Sequence, residues 1–122
     1  MPGSCQTIIV AMENEALESV GEQQGIFSKS ENFNGKPSWK SSWKSSLYQA
    51  IWYNELDQWA IGPIDYIGSS KGFLYAESET EEPTANSNEW NYWDGSNWTK
   101  SSSKDVSVRC IGKNHKRLDF AI

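Results

Sequence analysis

The sequence has little of what most small folds and most catalytic sites are built from. Ile, Leu, Val and Phe make up only 22 of its 122 residues, and it contains a single histidine and two cysteines. No apolar run approaches the roughly 18 residues of a membrane span, so we expect no membrane insertion. Eleven basic side chains stand against 16 acidic ones, a net charge of −5. This balance argues against nucleic acid as a partner, because binding a phosphate backbone requires a basic surface.

The shortage of histidine also bears on catalysis. A nucleophilic triad needs a histidine or lysine base beside Ser or Cys, and His115 lies in a basic segment near the end of the chain. A glycosidase needs two fixed carboxylates in a deep cleft, which short strands rarely enclose. A Gly-rich phosphate loop is absent from the sequence as well. We therefore expect a protein that is not an enzyme and that uses no cofactor and no metal ion.

Aromatic residues are abundant. Seven Trp, five Tyr and four Phe supply large side chains that can form a core where aliphatic residues are few. Short β-like runs such as Thr7–Met12 and Tyr48–Tyr53 alternate with turn formers, and Asn34-Gly35 and Asp94-Gly95 are hairpin signals. The prediction is an all-β, compact single domain over residues 1–122. We expect about eight to ten short antiparallel strands in hairpins, prism- or barrel-like, around an aromatic core.

The sequence defines the structure or role of four regions less clearly. Glu13–Val20 has helical spacing of its apolar residues but spans only about two turns, so a helix and a loop both fit. The acidic segment Glu77–Asn88 is expected to be an exposed loop rather than a calcium site. Trp43, flanked by serines, is expected to be an accessory aromatic contact or a subunit contact. The tail over residues 111–122 is expected to dock on the sheet or on another subunit.

Cys5 and Cys110 border the first and the last confident strand. A disulfide between them would join the two ends across 104 intervening residues, and the chain-entropy model values such a loop at about 4–5 kcal/mol. Two buried free thiols in a cytosolic protein are the alternative. No signal peptide is visible at the start of the sequence. We nevertheless expect an extracellular or secreted protein.

The stretch that begins at Glu89 is the richest candidate for a binding site. Alternation along a strand puts Glu89, Asn91 and Trp93 on one face, and Trp90 and Tyr92 on the other. An aromatic ring can stack on the apolar face of galactose, while fixed carboxylate and amide groups take the hydroxyls. The residues predicted to bind carbohydrate are Glu89, Asn91, Trp93, Asp94 and Asn97. The alternative is an ordinary hairpin in which the tryptophans belong to the core and Asp94-Gly95 is only a turn.

A second candidate site is Asn34–Trp39, where a hairpin turn is already a sufficient explanation. Four residues inside strands, Trp52, Trp59, Ile61 and Leu74, are expected to pack in the core.

The order of the aromatic motifs along the chain is distinctive. The motifs are Gly25-Ile26-Phe27, Asn34-Gly35-Lys36-Pro37-Ser38-Trp39, Ile51-Trp52-Tyr53, Gln58-Trp59-Ala60-Ile61-Gly62, Gly72-Phe73-Leu74-Tyr75-Ala76, Pro83 and Trp90. Over about Cys5 to Cys110, this order resembles a Trp-rich β-module that occurs singly or repeated in invertebrate proteins. The module is of the kind seen in a feather-star lectin that binds N-acetyllactosamine.

The resemblance implies a carbohydrate-binding lectin for β-galactosides such as N-acetyllactosamine. Its partners would be galactose-containing glycans or glycoproteins. Because single sugar sites bind weakly, useful avidity would favour a homo-oligomer. The alternative is a Trp-rich protein-interaction or structural module that binds no sugar.

Overall fold

The structure, a computed structural model, describes residues 5–41, 48–77, 80–84, 89–101 and 105–111. Within these ranges nine antiparallel strands form one sheet that curls into a half-barrel, which confirms the all-β prediction. The strands are β1 (Thr7–Met12), β2 (Gly25–Phe33), β3 (Lys36–Ser41), β4 (Gln49–Tyr53), β5 (Trp59–Pro63), β6 (Leu74–Ala76), β7 (Asn91–Trp93), β8 (Trp98–Lys100) and β9 (Val106–Ile111).

Sequence neighbours pair throughout the sheet, with one exception. The strand order is β8-β7-β6-β5-β4-β3-β2-β1-β9, so β9 returns across the fold to pair with β1. Their register runs from Thr7 opposite Ile111 to Met12 opposite Val106. Cys5, which precedes β1, and Cys110, within β9, form the predicted disulfide, with their Cα atoms 5.8 Å apart. The first and last strands are therefore joined both by hydrogen bonds and covalently.

Three adjacent strands, β3 to β5, each carry a fully buried tryptophan. The rings of Trp39 and Trp59 pack 6.0 Å apart in the main core, and Trp52 points to the opposite face of the sheet. Each indole N–H donates a hydrogen bond to a backbone carbonyl that lies outside the strands. The acceptors for Trp39, Trp52 and Trp59 are the carbonyl oxygens of Cys5 at 2.9 Å, Ser69 at 2.8 Å and Thr80 at 3.0 Å.

The centre of the sheet is buried on both faces. On one face the main core extends over most of the strands, and on the other a small cluster around Trp52 is covered by Ile64 and Ile67. These two residues belong to the connection that contains a short 3₁₀ helix, Ile64–Tyr66. The expected core residues Trp52, Trp59, Ile61 and Leu74 are all fully buried.

The Asn34-Gly35 turn is confirmed, and it accounts for the second candidate site. Both residues have positive φ, 54° and 87°, as a two-residue hairpin turn requires. The Asn34 side chain donates to the Tyr53 carbonyl oxygen at 2.8 Å. Trp39 is fully buried and offers no ring to a ligand. The segment Asn34–Trp39 therefore acts as a turn and as core.

The structure resolves the segment after β1 in favour of a helix and corrects the expectation for part of the acidic segment. Helix α1 spans Asn14–Val20 and continues into a 3₁₀ helix, Gly21–Gln23. Residues 80–84 were expected to be exposed, yet Pro83 is fully buried and Glu82 accepts a hydrogen bond from the Cys5 amide at 3.0 Å. This segment lies against the sheet because it supplies the acceptor for the buried indole of Trp59.

The predictions for Trp43 and for the tail after Ile111 fall outside the described residues. None of the helices in the described ranges combines the length and the apolar composition that crossing a membrane requires.

The disulfide gives the first testable prediction. Reduction of Cys5–Cys110 should lower the free energy of unfolding by about 2–5 kcal/mol, because the unfolded chain regains the entropy of a very long loop. Denaturant titration with and without reductant measures the difference. A Cys5→Ser/Cys110→Ser variant is the control, since reductant should not change its midpoint. Two reactive thiols in the unreduced protein would contradict the bond.

Candidate functional site

The hairpin of β7 and β8 places its side chains as the alternation in the sequence predicts. Trp90 and Tyr92 are buried in the main core, whereas Asn91 and Trp93 are half-buried and Glu89 is exposed. Burial raises the pKa of the Tyr92 phenol, and the nearby Glu15 carboxylate raises it further. Glu89, Asn91 and Trp93 therefore lie away from the core, as predicted, and Trp93 is the partly accessible aromatic residue among them.

Trp93 is held by an aromatic neighbour that the sequence analysis did not select. Trp98 lies directly opposite Trp93 in the hairpin, with ring centroids 5.5 Å apart in an edge-to-face arrangement. The Tyr75 ring also packs edge-to-face on Trp98, with the ring centroids 4.8 Å apart. Such edge-to-face pairs are favourable beyond their buried area. The sequence could have indicated this contact, because Trp93 and Trp98 flank a short turn, and residues in such positions pair across a hairpin.

Asp94 shapes the loop between β7 and β8. Its Oδ1 accepts hydrogen bonds from the backbone N–H groups of Ser96 and Asn97, both at 2.8 Å, and its Oδ2 accepts from the Thr99 hydroxyl at 3.0 Å. The backbone donors at Asn97 and Ser96, followed by the Thr99 hydroxyl, lower the pKa of Asp94. Three bonds fill most of the acceptor capacity of a carboxylate. Asp94 therefore stabilises the turn, as the alternative interpretation of Asp94-Gly95 expected.

A groove of 810 Å³ opens where helix α1 and the following 3₁₀ turn face this loop. Residues 17–23 form one wall, and Phe73 with the stretch from Trp93 to Gly95 forms the other. Its volume falls in the range typical of small-molecule sites, about 300–1,000 Å³. Of the five predicted site residues, Trp93 and Asp94 line the groove, whereas Glu89, Asn91 and Asn97 are not part of its lining.

The two walls differ in chemistry. Trp93 and Phe73 supply aromatic surface, and Phe73 is 36 % exposed. On the opposite wall Glu18 and Glu22 are exposed carboxylates separated by about one helical turn. An aromatic wall facing hydrogen-bond acceptors suits a ligand that has an apolar face and many hydroxyl groups. Within the described residues, no group of three or more His, Cys, Asp or Glu side chains is arranged to hold a metal ion.

Gln23 gives the groove an unusual polar group. It is one of the two buried residues of the lining, with Val20, and only 2 % of its surface is exposed. Its Oε1 has no hydrogen-bond partner in the part of the chain that the structure describes. Buried acceptors without a donor are uncommon in folded proteins, and each one calls for an explanation. Sequence reasoning missed Gln23 because about 70 residues separate it from Trp93.

The remaining predicted residues lie outside the lining of the groove. Glu89 forms a salt bridge with Lys100 at 3.1 Å, and Asn91 pairs with Lys100 in the strand register. Asn97 is exposed in the loop. A second pocket, of 220 Å³, is lined in part by Tyr75, Trp98 and the turn between β4 and β5. It is much smaller than the groove.

Comparisons with protein families, curated proteins and solved structures find no match for the chain.

The role of Asp94 in the loop predicts a defined pH dependence. Because the pKa of Asp94 is lowered in the fold, its ionised form stabilises the protein above the unfolded value of about 3.9. This contribution is lost as the pH falls through the lower folded pKa. Asp94→Asn should therefore melt at a lower temperature than the wild type near neutral pH, and the gap should close in acid. A gap that does not change with pH would show that the charge is not involved.

Proposed function

We propose that the protein is a non-enzymatic lectin that binds β-galactosides such as N-acetyllactosamine. The sugar would occupy the groove between residues 17–23 and the loop after β7. One observation carries this proposal. Trp93 and Asp94, which the sequence analysis selected as sugar-binding residues, line an open groove whose second wall is rich in hydrogen-bond acceptors.

The aromatic wall supports stacking of a pyranose ring. The axial 4-hydroxyl of galactose leaves the apolar side from C3 to C6 clear, and this side would lie on the Trp93 ring beside Phe73. Trp93 is half-buried and braced by Trp98 at 5.5 Å, so its ring is fixed before a ligand arrives. A fixed aromatic surface loses little conformational entropy on binding, which improves affinity.

The polar groups of the groove support recognition of hydroxyls. Sugar hydroxyls are donors, and the exposed Glu18 and Glu22 carboxylates are acceptors on the wall opposite Trp93. A hydrogen bond to a charged group contributes about 1.5–3 kcal/mol. Asp94 contributes by fixing the loop that carries Trp93.

The disulfide supports an extracellular or secreted setting, because such bonds persist in oxidising compartments. Glycoproteins and other galactose-containing glycans are displayed in that setting. A single open groove binds sugar weakly, so we propose that a homo-oligomer supplies the avidity.

The proposal predicts the effect of removing the stacking ring. Trp93→Ala should weaken lactose binding by about 5- to 150-fold, because the lost apolar contact is worth about 1–3 kcal/mol. The change in melting temperature should be smaller than for Trp59→Ala, since Trp59 is fully buried and its loss costs about 3–5 kcal/mol. Isothermal titration with lactose and thermal melts measure the two effects.

Tyr48→Ala is the matched control, because Tyr48 is an exposed aromatic residue that does not line the groove. It should retain the lactose affinity of the wild type. If Trp93→Ala binds lactose as tightly as the wild type, the sugar does not stack on Trp93. If the wild type binds no glycan on an array, the protein-interaction or structural alternative is favoured over a lectin.

Gln23 gives a further prediction, which concerns stability. Gln23→Met should raise the melting temperature, because a side chain of similar shape replaces an unpaired buried amide oxygen. Thermal melts of the wild type and the variant measure the change. A lower melting temperature for Gln23→Met would show that the buried oxygen is satisfied in the folded protein.

A further inference from the structure

The groove carries charge of one sign only. Its lining includes Glu18, Glu22 and Asp94, and among the described lining residues none is Lys, Arg or His. Glu18 and Glu22 lie on the exposed wall, and the hydrogen bonds of the loop keep Asp94 ionised at neutral pH. The described lining therefore contributes three carboxylates and no positive side chain.

The described basic side chains nearest to the groove in sequence have other partners. Lys71, two residues before Phe73, lies over the Tyr66 ring at 5.7 Å. Lys100, at the far end of β8, forms its salt bridge with Glu89. Neither residue belongs to the lining, so neither offsets its negative charge locally.

The hydrogen-bonding character of the lining points to the same kind of ligand. Glu18 and Glu22 present exposed carboxylates on one wall, and carboxylates accept hydrogen bonds and donate none. A ligand that fits must bring hydrogen-bond donors. Hydroxyl groups do so, whereas a carboxylate or sulfate group brings only acceptors and a further negative charge.

We infer that the groove selects uncharged galactosides and rejects galactosides that carry a sialic acid or a sulfate group. The inference rests on the proposed lectin function and names the substrate class of the same site. Discrimination arises from like-charge repulsion, which is an effective way to exclude a wrong partner. Terminal galactose on a neutral chain is accepted, and the same galactose capped by an anionic group is refused.

The experiment compares lactose, 3′-sialyllactose and lactose 3′-sulfate by isothermal titration with the wild-type protein. Both anionic ligands should bind about tenfold or more weakly than lactose, as expected for repulsion from three carboxylates across a water-exposed groove. The difference in affinity between lactose and the anionic ligands should become smaller at high salt, because ions screen exposed charges.

A charge variant separates repulsion from poor steric fit. Glu18→Gln/Glu22→Gln keeps the size of both side chains and removes two charges. The ratio of the Kd for sialyllactose to the Kd for lactose should fall several-fold in this variant. Glu55→Gln/Glu77→Gln is the matched control, because it removes two exposed carboxylates that do not line the groove. Its ratio should stay at the wild-type value.

The outcomes are distinct. Equal affinity of the wild type for lactose and for sialyllactose overturns the inference and leaves the lectin function intact. A ratio that is the same in Glu18→Gln/Glu22→Gln as in the wild type also overturns it, since the anionic group is then excluded by shape. Failure of the wild type to bind any of the three sugars contradicts the lectin function itself.

Discussion

Three buried indole N–H groups organise this fold. A buried donor without an acceptor costs about 1–3 kcal/mol, so each tryptophan of the central strands requires a carbonyl oxygen nearby. No strand supplies these acceptors. They come from the segment before β1, from the connection between β5 and β6, and from the acidic segment before β7. Satisfying the three tryptophans therefore positions three connecting segments against the sheet.

The parts of the fold that the sequence predicts are the local ones. Alternation and turn chemistry locate most strands to within a few residues, and Asn34-Gly35 is recognisable because both residues tolerate positive φ. The acidic segment shows where local reasoning fails. Its composition favours solvent, but residues 80–84 are buried in part because Trp59, about 20 residues earlier, needs an acceptor. The composition of the acidic segment does not indicate that Trp59 is its partner.

The candidate site likewise has one part that the sequence predicts and one that it does not. Trp93 and Asp94 could be selected from their own surroundings, since a strand end and a turn are visible in a few residues. The opposite wall could not, because helix α1 and the hairpin are about 70 residues apart in the sequence and meet only in the folded structure. Even the helix was ambiguous, as two turns of amphipathic spacing are marginal without tertiary contacts. Gln23 carries no signal in the sequence at all. Its unpaired oxygen becomes evident only in three dimensions.

The pairing of β1 with β9 has a mechanical consequence. Because the two strands are antiparallel, the chain enters and leaves the sheet at the same end of their ladder, and Cys5 and Cys110 lie at that end. A pulling force applied to the chain on either side of the module passes through the covalent bond between the cysteines. The hydrogen bonds of the sheet and the groove between α1 and the hairpin bear almost none of the tension. Tension on the chain therefore leaves the shape of the groove unchanged.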